Sequence, residues 1–113
     1  NARGLEAHTQ VVDIRQRESV DAAFAAIGAR FGAVDLLVNS AGGQFPQASI
    51  DYSEKGWQAV VNTNRNGTWH MMHVAAQAWR EAGKGGAIVN IVVVNQGLYG
   101  VAHTSAARAG VIA

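Results

Sequence analysis

Cysteine is absent from this chain, and that excludes both a disulfide framework and a thiolate metal site. The absence is compatible with a reducing cytoplasm. No apolar run approaches the roughly 20 residues that a membrane span requires. The first residues, Asn1-Ala-Arg-Gly4, carry neither a methionine nor the basic-then-apolar pattern of a signal peptide. A net charge of +1, with no clustered basic face, gives no electrostatic reason to expect a nucleic-acid partner. What is present is a 113-residue chain, long enough for one small domain, with a hydrophobic fraction of 49% that suits a globular α/β protein.

The pattern alternates. Thr9 to Ile14 is a β-branched run closing on an acidic residue and reads as a buried parallel strand. Glu18 or Ser19 opens a helix whose apolar residues Val20, Phe24, Ile27 and Phe31 recur at helical spacing, with Gly32 at its C-terminal cap. Val34 to Asn39 is a second strand, followed by the small-residue turn Ser40-Ala41-Gly42-Gly43. Ser53 begins the next helical region, which passes through Trp57, Val60 and Val61 and continues from Asn64 to about Ala82. Gly85 and Gly86 are expected to stop it, and a third strand runs from Ala87 to Val94. A glycine-bearing loop then leads to a helix starting near His103. Strands alternating with helices indicate β-α-β units and a parallel sheet.

Several segments carry chemical options. Asp13 closes the first strand, and an Asp there also serves simply to cap the following turn. The Asn39–Gly43 turn is built of small residues that let the backbone approach a ligand closely. Asn62, Asn64, Asn66 and Gly67 are poor helix formers, each costing up to about 1 kcal/mol against alanine, so their clustering implies a functional or packing need. A kink with Gly67 packed close to the sheet satisfies the same observation. Trp57, Trp69, Met71, Met72 and Trp79 read as core or interface residues, with cofactor or acyl contact as the alternative.

These segments together resemble the short-chain dehydrogenase/reductase family. The likeness rests on Asn39-Ser40-Ala41-Gly42, on Asn64, on Ile88-Val89-Asn90-Ile91, and on the helix start around His103 to Val111. The resemblance implies a Rossmann-like doubly wound parallel sheet of order 3-2-1-4-5-6. Residues 1–113 then form a partial NAD(P)-binding domain, with strands three, four and five and their intervening helices. On that reading the chain is an internal piece of a longer one, without the first two strands, the Gly-rich phosphate turn or the C-terminal part. Tight dinucleotide binding by these residues alone is not expected. The resemblance also implies cofactor contacts from Asp13, Ile14, Asn39, Ala41, Gly42 and Arg108, with NADP(H) ranked ahead of NAD(H), and a water-holding main chain at Asn64.

The family's serine, tyrosine and lysine correspond here to Val93, Thr104 and Arg108. Threonine is too weak an acid to replace a phenol, and arginine does not exchange protons at ordinary pH. Arg108 still forks onto hydroxyls and stabilises nearby negative charge. Hydride addition to the β-carbon of an unsaturated thioester puts charge on the thioester oxygen, which Thr104 and Arg108 suit as donors. Asn64, Tyr99, His103, Thr104 and Arg108 are therefore the candidate catalytic set, with Tyr99 and His103 the local proton carriers. His103 read as a polar residue at a helix start, and Tyr99 read as a solvent-facing loop residue, are the structural alternatives. Gln44 and Phe45 are candidate substrate contacts, and Phe45 packed into the core is the competing reading.

The wording Gly42-Gly43-Gln44-Phe45, Lys55-Gly56-Trp57 and Thr63-Asn64 with Gly67-Thr68 is similar to the peroxisomal-type trans-2-enoyl-CoA reductases and the 2,4-dienoyl-CoA reductases. The dienoyl branch has a serine at the Thr104 position, a lysine at Arg108 and a tyrosine upstream; this chain has Asn95 near that upstream position. The resemblance implies an acyl thioester substrate, no membrane partner, and a homo-oligomer, dimer or tetramer, in the complete protein. It implies the cytoplasm, or the peroxisome in a eukaryote. A carbonyl or alcohol oxidoreductase and a catalytically inert binding module are the rival readings.

Overall fold

A computed structural model describes residues 3–93 and 98–113. Helix α1 spans Arg17–Phe31 and buries Val20 and Ala23. It ends because Gly32, at φ 79°, takes a backbone conformation that side chains disfavour, while its N–H closes onto the Gly28 carbonyl. The start differs from the sequence expectation. The helix begins at Arg17, with Gln16 at its cap and no capping side chain. The Ser19 hydroxyl instead accepts the Asp13 N–H at 2.9 Å, which ties the incoming segment to the first turn.

Strands β1 (Leu36–Asn39) and β2 (Ala87–Asn90) form a parallel pair, with Leu37 beside Ile88 and Asn39 beside Asn90. Strand side chains alternate between faces. Leu37 is buried, and with Ala75, Trp79, Phe24, Met71 and Ile88 it forms the apolar core between this sheet and the helices. On the other phase Leu36, Val38, Val89 and Ile91 are each about half exposed. Thr9–Ile14 does not pair as the expected strand: a strand requires a ladder partner, and no described residue supplies one. The third strand is shorter than expected, stopping at Asn90, and Val94 lies outside the described residues.

Helix α2 (Glu54–Val61) begins where expected, its Ser53 cap accepting the Gly56 N–H at 3.0 Å. It passes without a break into one wide π turn, Asn62–Gly67, and then into α3 (Thr68–Glu81). Such turns are rare and frequent at functional sites. Gly67 is buried against Ile14, and a Cβ there would lie 2.6 Å from that side chain. Of the expected kink with Gly67 packed on the sheet, the close packing is present, but against Ile14 and not against the two-stranded sheet. Helix α3 ends where expected, near Ala82, but not at the expected glycines. Ala82 caps it and Gly83, at φ 64°, turns the chain, so Gly85 and Gly86 lie beyond the end. Helix α4 (Ala102–Ile112) packs against α2 and the π turn. No helix among the described residues is long and apolar enough to cross a membrane.

Candidate functional site

The π turn, the glycine turn after β1 and helix α4 meet at one point. Asn64 is 1% exposed, and its side-chain amide donates to the Gly43 carbonyl at 2.6 Å and to Val60 at 2.8 Å. Its side-chain oxygen accepts the Gly43 N–H at 3.2 Å. The side chain is therefore spent on holding the glycine turn, while its backbone carbonyl accepts from the Thr68 hydroxyl at 2.9 Å. Arg108 reaches the same carbonyl with one terminal nitrogen at 3.4 Å, and the Ala41 carbonyl with the other at 3.3 Å. A Cβ on Gly42 would lie 2.6 Å from the Asn64 side-chain oxygen and collide with the Arg108 guanidinium. Glycine is the residue that permits this convergence.

Arg108 is 7% exposed, and none of the ion pairs among the described residues includes it. Its Nε has no partner among the described residues. Burial holds its pKa below the ordinary guanidinium value, because desolvation disfavours the charged form. Five donors with only two long carbonyl contacts leave a buried cation able to donate further hydrogen bonds to a polar or anionic group.

Thr104 lies one turn before Arg108 on the same helix and is likewise buried. His103 is fully buried; its Nδ1 accepts the Thr104 N–H at 2.8 Å and lies 3.4 Å from the Thr104 hydroxyl. An accepting Nδ1 puts the proton of a neutral ring on Nε2, which has no partner among the described residues. Tyr99 stands apart, 87% exposed in the turn before α4. Val93 is partly exposed beyond β2, and Asn95 lies outside the described residues.

The residues expected on the cofactor side are brought together in part. Ile14, Asn39 and Ala41 share a cavity of about 130 Å³ with Val38, Thr68 and Met71. That volume is below the roughly 300 Å³ at which whole-ligand pockets begin, so it suits one part of a larger ligand. The Asn39 side-chain amide donates across the sheet to Asn90 at 2.8 Å. Asp13 is held by Arg15 through contacts of 2.9 and 2.7 Å, and this pairing lowers its pKa from 3.8 to about 2.

On the substrate side, Gln44 is exposed, whereas the Phe45 ring packs edge-on against His103 at 4.7 Å and against Tyr52 at 6.1 Å. The packed reading of Phe45 describes this arrangement. Of the helical aromatics, Trp79 is buried and donates to the Val34 carbonyl, while Trp69 is half exposed and stacks on His73. Sequence reasoning passed over Tyr52, which touches Gly100, Ala102 and His103. Its only local signal is its place beside a helix cap, which says nothing of a partner some 50 positions away.

Comparison with known proteins bears on this geometry. The family model described as short chain dehydrogenase matches residues 1–113. The chain is 33% identical over 102 residues to 2-dehydro-3-deoxy-D-gluconate 5-dehydrogenase of Escherichia coli, covering 88% of this chain and 40% of that protein. It is 35% identical over 85 residues to a probable 2,4-dienoyl-CoA reductase of Bacillus subtilis, covering 73% of this chain and 33% of that one. The crystal structure of an actinorhodin polyketide ketoreductase variant with NADPH superposes with a TM-score of 0.84 at 34% identity, over 91% of this chain and 41% of that structure. The chain thus spans well under half the length of these relatives, and its sheet and helices are part of a Rossmann fold. It belongs to the short chain dehydrogenase family.

Proposed function

We propose that the protein containing this chain is an NAD(P)H-dependent oxidoreductase that reduces the carbon–carbon double bond of enoyl thioesters. The observation that carries the reading is Arg108, a buried guanidinium with no carboxylate partner among the described residues, one turn from the Thr104 hydroxyl. The residues present fit the cofactor. Gly42 lets the Arg108 guanidinium close on the turn, Arg108 keeps its Nε donor unused among the described residues, and Ile14, Asn39 and Ala41 line an adjoining cavity. Asn39, Ala41, Gly42 and Arg108 would hold the nicotinamide and ribose side, and Asp13 with Ile14 the adenine side. When bound, the cofactor supplies a hydride.

The chain's own contribution is electrostatic. Hydride addition to a β-carbon leaves an enolate oxygen that needs donors already in place, and a low-dielectric site raises their worth. Thr104 and Arg108 provide such donors without giving up a proton. Tyr99, exposed before α4, fits the solvent-facing loop reading, and buried His103 stays in the support of the helix start. The printed names of the relatives, a ketoreductase and a sugar-acid dehydrogenase among them, favour carbonyl reduction as the second reading. A homo-oligomer also belongs to the proposal, supported by half-exposed Trp69 and exposed Ile112 on the α3–α4 face.

The test is oxidation of NADPH and of NADH with crotonyl-CoA, a longer enoyl-CoA and a 3-oxoacyl-CoA. Turnover of the enoyl substrates is expected, with Arg108→Ala reducing kcat/KM about 100-fold. Activity on the ketone alone would overturn the enoyl reading in favour of the second.

A further inference from the structure

Helix α4 carries Thr104 and Arg108, yet the residue at its cap position offers its start no side-chain bond. Val101 occupies the cap position at φ −128°, ψ 35°, and it has no side-chain oxygen to offer. The first amides of any helix lack intrahelical partners, and leaving them unpaired is costly where they are buried. Here the Thr104 N–H is taken by His103 within the helix, while the partner of the Ala102 N–H comes from another segment. The Tyr52 hydroxyl accepts the Ala102 N–H at 3.1 Å and donates to the Gly100 carbonyl at 2.8 Å. One hydroxyl has one proton to give and lone pairs to receive, so both bonds form together. The Gly100 carbonyl also accepts the Gln47 N–H at 2.9 Å. Gly100 itself sits at φ 78°, a conformation that holds the chain in the turn feeding α4.

The ring of Tyr52 adds a second hold. It stacks almost parallel on His103, with centroids 4.4 Å apart and planes 7° from coplanar, and Phe45 closes the cluster edge-on. His103 in turn takes the Thr104 N–H on its Nδ1. A chain of direct contacts therefore runs from Tyr52 through His103 to the backbone of Thr104. We propose that Tyr52 is a positioning residue: its hydroxyl caps α4 from another segment, and its ring fixes His103, so that α4 holds Thr104 at a set height and rotation and carries Arg108 onto the glycine turn.

The kinetic consequence rests on the oxidoreductase reading, whereas the placement of α4 does not. The experiment is hydrogen exchange by mass spectrometry on the protein and its Tyr52→Phe variant, which keeps the ring and removes the hydroxyl. Peptides covering residues 98–108 are expected to exchange about fivefold faster in the variant, the size of effect that loss of a helix cap brings, while α2 peptides are unchanged. Steady-state kinetics should then show kcat falling about tenfold with the KM for NAD(P)H within about twofold, since a small displacement of catalytic groups acts on the chemical step. Tyr52→Ala, which also removes the stack, should exceed both effects. Unchanged exchange over residues 98–108 in a folded Tyr52→Phe would overturn the proposal. So would a wild-type Ala102 amide, read by NMR, that exchanges as fast as an uncapped helix end. Exchange is read without substrate, so faster exchange supports the placement even in a protein that turns over no acceptor, a result that would count against the oxidoreductase reading alone.

Discussion

Two helix starts lie side by side in this molecule and are built in opposite ways. Helix α2 is capped from within, by the Ser53 hydroxyl on the Gly56 N–H, at an exposed position. Helix α4 is capped from outside, by the hydroxyl of Tyr52, the residue immediately before Ser53. A self-capped helix keeps its start wherever the rest of the chain carries it. A helix capped by a remote segment has its start fixed relative to that segment, and this is what a helix bearing Thr104 and Arg108 requires. Two consecutive residues thus separate local stability from placement.

The contrast can be broken in graded steps. The largest effect is expected from Gly42→Ala, because its methyl group would occupy the space taken by the Arg108 guanidinium and the Asn64 side chain. Displacement of about 1 Å at a reacting centre costs roughly 100-fold, so kcat/KM should fall by that order while thermal unfolding shifts only slightly. Ser53→Ala should do the reverse. It is expected to lower stability by about 1 kcal/mol in urea unfolding and leave kcat unchanged, the opposite of the Tyr52→Phe outcome. A loss of kcat in Ser53→Ala equal to that in Tyr52→Phe would erase the distinction between the two starts.

The smallest effect concerns Asp13. Its carboxyl titrates near 2 instead of 3.8 because the Arg15 hydrogen bonds favour the charged form. A lowered pKa means that the contribution of this pair is fully present above about pH 4 and is lost as the pH falls through about 2. The pair is exposed, so the effect on global stability should be slight. Carboxyl chemical shifts followed by NMR should give the depressed midpoint in the protein and, in Arg15→Ala, a midpoint near 3.8.

Much of the framework was legible in the residues, and the reasons are local. Ser53 before a polar first turn, Gly32 after the last apolar residue of α1, and the apolar run into Asn39 each act through neighbours within a few positions. The turn at Asn39–Gly43 was legible from its small residues, but its convergence with Asn64 and Arg108 only through the family resemblance. The bonds involved join residues 21, 44 and 67 positions apart, and no spacing rule encodes them. Thr9–Ile14 has the composition of a strand but needs a partner to become one. Gly85 and Gly86 were expected to end α3, yet Gly83 did so first because it reaches the positive φ the turn needs. Tyr52 escaped notice because tyrosine beside a cap is unremarkable until its partner is known.

The π turn at Asn62–Gly67 has a consequence for how this chain tolerates change in length. It accommodates an extra residue within what is otherwise one uninterrupted helix from Glu54 to Glu81. Deleting a single residue there would restore ordinary helical winding with little change of phase downstream, whereas a deletion within α2 would turn everything beyond it by roughly 100°, the angular step of one residue. Ala75 and Trp79 would then rotate away from the sheet they cover. The length of this helix is consequently locked to its phase, and insertions or deletions that the surface loops could absorb would in α2 unseat the core and Asn64 at once.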